Sequence, residues 1–97
     1  MTEDLQELLF ALCAAPGTPG DESEAARRAA WELSDCGETE IDRMGNVICR
    51  MGNQTAQQQI LLDAHLDQVG LIVTRIETNG FLRVDRCGGT DRRVLIF

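Results

Sequence analysis

The chain contains no lysine, and its nine arginines face sixteen acidic residues, which leaves a formal charge of -7 and an isoelectric point near 4.5. A nucleic-acid binder carries a basic stripe, and an anionic membrane surface repels so acidic a chain. Neither partner is expected. Long apolar runs are lacking too. The longest, Leu8 to Ala15, falls far short of the roughly 18 to 20 residues that cross a bilayer. No basic start leads into an apolar stretch and a small-residue cleavage site, so no secretory leader is read and a cytoplasmic location is expected. The four cysteines, Cys13, Cys36, Cys49 and Cys87, include no pair at zinc-knuckle or C-x-x-C spacing, and they read as reduced thiols. A G-x-S-x-G elbow is missing, and the sole histidine has no serine or cysteine near it in sequence. The glycines at 17 and 20 have no Walker lysine behind them and no strand before them, so they mark a helix–helix corner.

What remains is an ordinary globular composition, 43% hydrophobic and 26% charged over 97 residues, enough for one modest domain with a thin core. The last four residues, Val94-Leu95-Ile96-Phe97, form an apolar strand-like run with no polar tail behind it. Termini usually fray into solvent, so this pattern reads as unfinished.

The spacing predicts a first helix over residues 3–14, capped by Thr2, with Leu5, Leu8, Leu9 and Leu12 on one face. After Pro16-Gly17-Thr18-Pro19-Gly20, Asp21 and Glu24 have capping-box spacing. A second helix is expected from there to about Cys36, with Gly37 as its C-terminal glycine and Ala26, Ala29, Ala30 and Leu33 on its buried face. Strands follow. Residues 38–43 and 47–51 flank a turn at Met44-Gly45-Asn46, and residues 59–65 read as a buried strand because their centre is continuously apolar. Residues 71–76 and 81–86 form a second hairpin. A three-residue loop, Thr78-Asn79-Gly80, would pair Ile76 with Leu82 and Thr74 with Val84, which separates apolar from charged side chains better than a two-residue loop does. A last strand is expected over residues 92–97.

The single histidine lies in Asp63-Ala64-His65-Leu66-Asp67. A period of two places Asp63, His65 and Asp67 on one strand face, at a strand end of the kind where open α/β sheets bind ligands. A ligating imidazole typically donates its second N–H to a carboxylate, and Asp67 is spaced to receive it. One histidine and one carboxylate do not complete a zinc site, which needs at least three protein ligands. Spacing alone leaves open a histidine simply satisfied by its neighbour. The pairs Glu22/Glu24 and Glu38/Glu40 read as solvated or helix-start charges.

The run from Ile60 to Val73, with His65-Leu66-Asp67 at its centre, resembles the first metal-ligand strand of the tetrahedral-assembly metallo-aminopeptidases. These are the glutamyl and deblocking aminopeptidases, also described as endoglucanase or cellulase M. Four further segments resemble the family in order: Pro16 to Glu22, Asp42 to Ile48, Asn79 to Leu82, and Gly88 to Leu95. Gln68, where the family usually has an acid, and Arg92, where it often has proline, depart from the pattern.

The resemblance implies an α/β fold: two N-terminal helices, strands of a mixed-sheet zinc-peptidase domain over residues 1–68, and the first strands of an inserted β-barrel-like dimerisation domain over residues 69–97. It implies two divalent metal ions, zinc or cobalt, with His65 as a metal ligand. Asp67 would belong to the catalytic machinery by orienting His65. The family's metals hold and polarise a bridging water, and a glutamate acts as general base. The bridging aspartate, that glutamate and the other ligands match nothing in these residues. The expected function is therefore the N-terminal portion of an aminopeptidase that removes N-terminal residues from peptides, inactive alone, with weak or no metal binding. Homo-oligomerisation or self-association is expected. The alternative is a small acidic interaction module, or a degenerate gene product, with the same fold start; the intact H-x-D speaks against the module.

Overall fold

The computed structural model describes residues 2–95. Helix α1 spans Thr2–Ala14 and α2 spans Ser23–Leu33; β1 (Glu38–Ile41) pairs with β2 (Val47–Arg50), and β3 (Gly70–Ile76) pairs with β4 (Leu82–Cys87). Both pairs are antiparallel, and each is a separate two-stranded sheet. The architecture is thus α/β, with two helices and two small sheets.

Helix α1 ends at Ala14, ahead of Pro16, which disfavours helical backbone at the residue before it. The cap expected of Thr2 concerns a side chain outside the described set. Of its apolar face, Leu8 and Leu12 are half-buried while Leu5 and Leu9 stay exposed. Helix α2 is the packing hub, touching α1 on one side and β1 and β2 on the other. Ala25, Ala26 and Ala29 are its buried residues, small enough to let the hairpin and the Gly17 backbone approach. A Cβ on Gly17 would stand 3.3 Å from that of Ala25. Ala30 and Leu33 are only half-buried, and Trp31 is exposed.

The capping box does not form. A turn closes one step early, with the Asp21 amide donating to Thr18 O at 2.8 Å and Gly20 at φ +89°. Glu22 becomes the N-cap without a side-chain cap, and its carboxylate instead accepts from the Gly20 amide at 2.7 Å. The helix also stops before Cys36, because Ser34 ties back to Trp31 O through its hydroxyl at 2.6 Å. Gly37 is required for a different reason than helix capping: a Cβ there would lie 2.3 Å from Arg50 O.

Three strand expectations need correction or refinement. The second hairpin has its three-residue loop, with Glu77 N donating to Phe81 O and Gly80 at φ +89°. Ile76 pairs with Leu82 as the loop requires, but Val84 faces Val73, because a bulge at Thr74 shifts the register by one. Residues 59–65 are not a strand. They carry no main-chain hydrogen bond among the described residues, and Ile60, Leu61 and Leu62 are 89%, 88% and 85% exposed. A strand apolar on both faces needs packing over both faces as well as partners at its edges, and among the described residues this segment finds neither. The expected final strand is replaced at its start by a 3-10 turn, Arg92–Val94, where Asp91 accepts from the Arg93 amide at 2.9 Å; residues 96 and 97 lie outside the described residues.

Candidate functional site

The site is a groove of about 530 Å³ between the β1–β2 turn and residues 61–67, with Glu22 at its edge. Its near wall is set by Asp42. This carboxylate accepts from the Met44 amide at 2.8 Å, the Asn46 amide at 2.9 Å and the Asn46 side-chain amide at 2.8 Å. Gly45 at φ +87° allows the tight reversal. These bonds, the Asn46 side chain first, hold the Asp42 pKa below the ordinary carboxylate value.

The far wall carries His65 and Asp67. The His65 Nδ1 lies 3.1 Å from Asp67 Oδ1 and 3.1 Å from the Asp67 carbonyl oxygen. Two acceptors facing one ring nitrogen favour, in the neutral imidazole, the tautomer with the hydrogen on Nδ1 and the lone pair on Nε2. The His65 side chain is 86% exposed, which leaves Nε2 open to a ligand. Of the three residues expected on one strand face, His65 and Asp67 are brought into contact, and Asp63 lines the same groove.

Glu22, Asp63 and Asp67 are the acids of the groove and His65 its one imidazole, a donor set suited to a divalent cation. The chemistry fits, but the number does not. Among the described residues no group of three histidine, cysteine, aspartate or glutamate side chains converges closely enough to hold a metal ion. Sequence reasoning set Glu22 aside as a helix-start charge, and no spacing links it to His65; only the fold places both on one groove. The groove segment is anchored through its C-terminal end. The Gln68 amide donates to Gly17 O at 2.7 Å, and Gly70 packs against Thr18 so closely that a Cβ would fall 2.8 Å from the Thr18 hydroxyl oxygen.

The cysteines play no part in this geometry as a cluster. All four are free thiols, Cys13 and Cys36 exposed and Cys49 and Cys87 half-buried. No helix among the described residues is long and apolar enough to cross a membrane.

Comparison with known proteins gives a consistent result. The sequence profile described as M42 glutamyl aminopeptidase matches residues 45–97. A protein of Escherichia coli K12 named "Putative aminopeptidase SgcX" is 36% identical over 91 residues, covering 92% of this chain and 24% of that protein. A lysyl aminopeptidase of Pyrococcus furiosus is 34% identical over 92 residues, covering 93% of this chain and 26% of the relative. The chain thus spans about a quarter of the length of these curated relatives.

Proposed function

The chain belongs to the M42 glutamyl aminopeptidase family, a metallopeptidase family, and on that premise we propose that it supplies the first metal ligand of a two-metal aminopeptidase. His65 binds one ion through Nε2, and Asp67 holds the imidazole by accepting from Nδ1. The single observation that carries this reading is the His65–Asp67 contact at 3.1 Å, which leaves the exposed Nε2 as the open donor. In this reading the ions are zinc or cobalt and, when bound, polarise a water and the scissile carbonyl of a peptide.

In this reading the remaining ligands, the bridging aspartate and the general-base glutamate come from outside these 97 residues, in keeping with the lack, among the described residues, of any group of three side chains that could hold a metal ion. Residues 1–68 then open the peptidase domain, residues 69–97 open the inserted β-barrel-like domain, and the chain alone hydrolyses no peptide. A cytoplasmic location and a homo-oligomeric assembly belong to the same proposal.

Zinc titration followed at the imidazole resonances tests the role of His65, because the chain has only one histidine and the signal bypasses the thiols. The expected result is a weak, rapidly exchanging shift of the His65 signals. Tight one-to-one capture at His65 would contradict the incomplete site, and no response at any zinc concentration would contradict His65 as a ligand.

A further inference from the structure

From the bonds made by Gln68 we infer that it is a positioning residue: its side-chain amide ties the His65–Asp67 pair to the end of α1 and so fixes the imidazole tautomer. The inference rests on the proposed role of His65 and Asp67 and adds to it the device that keeps them in register.

Gln68 follows Asp67 directly. Its Nε2 lies 3.3 Å from Leu12 O, 3.3 Å from Cys13 O and 3.4 Å from Ala15 O. These carbonyls belong to the last turn of α1 and the residue after it, where main-chain acceptors lack helical partners. The two hydrogens of one amide nitrogen are shared among the three oxygens. At the other end of the residue, the Gln68 main-chain N–H donates to Gly17 O at 2.7 Å. Gln68 is therefore bonded on both sides to the α1–α2 corner.

The segment before it has no such hold. Residues 59–66 make no main-chain hydrogen bond among the described residues, so Gln68 is the nearest fixed point to the site. Asp67, one residue upstream, offers both its carboxylate and its carbonyl to His65 Nδ1. Displacing residue 68 moves both acceptors together.

In this chain the tie at residue 68 is made by a donor, which the acid that the resemblance puts at this position does not supply. A glutamate of the same length would aim oxygen at three carbonyl oxygens and place a negative charge at the negative end of α1. A methionine would match the shape and donate nothing. A lysine would donate to the same carbonyls and carry the favourable charge.

The test reads the tautomer of the sole histidine by long-range 1H–15N NMR at about pH 8.5, where imidazoles are neutral, in the 97-residue chain and its Gln68→Met and Gln68→Lys variants. The wild type is expected to favour Nδ1–H, opposite to free histidine in water. In Gln68→Met the Nδ1–H to Nε2–H ratio is expected to fall about three- to tenfold, the range of one ordinary hydrogen bond, and Gln68→Lys is expected to restore it. An unchanged ratio in Gln68→Met would overturn the inference, and so would a Gln68→Lys variant that behaves like Gln68→Met. A wild type favouring Nε2–H would instead overturn the His65–Asp67 reading itself, so the two failures are distinguishable.

Discussion

Asp42 and His65 show how single residues set this site, and how differently the two can be read. Asp42 satisfies three donors of its own loop, and the turn at Met44-Gly45-Asn46 is legible from sequence because the glycine and its polar neighbours act locally. The bonds depress the Asp42 pKa, so they favour the folded loop fully above about pH 4, the ordinary aspartate value. That contribution is lost as pH falls through the depressed folded value. The Met44 and Asn46 amide resonances are therefore expected to titrate with a midpoint below the ordinary carboxylate value. A midpoint at or above it would contradict the assignment. His65 and Asp67 were equally legible, two residues apart in one motif. Gln68 was visible only as a departure from a family pattern, because its partners are carbonyls more than fifty residues away.

Among the elements, both helices and both hairpins follow from periodicity and turn chemistry, and the departures have local or tertiary causes. Helix α2 is shorter than its pattern because Asp21 is drawn into the Thr18 turn and Ser34 bonds back to Trp31. The bulge at Thr74 carries no signature in the sequence; the threonine hydroxyl donates to Arg83 O at 3.2 Å, beside the irregularity. The larger departure is residues 59–65, whose pattern demands a buried strand that the described residues do not surround. An extended apolar segment with free main-chain groups invites pairing with another copy. The chain is expected to associate with rising concentration in sedimentation velocity, and Leu61→Arg is expected to weaken that association. A single monomer boundary across the concentration range would contradict it.

As a whole, the molecule is too open for its mass. Its radius of gyration is 17.7 Å and its extents are 60 × 33 × 21 Å, against about 12.5 Å for a compact domain of this length. The accessible surface of 8733 Å² compares with roughly 5,500 Å² for a folded monomer of this mass. Three alanines are the buried apolar residues of the described chain. Local patterns in the sequence cannot report this, because whether a strand finds neighbours is a property of everything around it. The chain spans about a quarter of the length of its curated relatives. The most direct test is a chimera in which this chain replaces the matching quarter of the Pyrococcus furiosus lysyl aminopeptidase, assayed for metal-dependent release of an N-terminal residue. The chimera is expected to hydrolyse its substrate, with His65→Ala abolishing both activity and full metal loading and Asp67→Ala lowering metal affinity about 10- to 100-fold. A chimera whose activity and metal content survive His65→Ala unchanged would contradict that expectation.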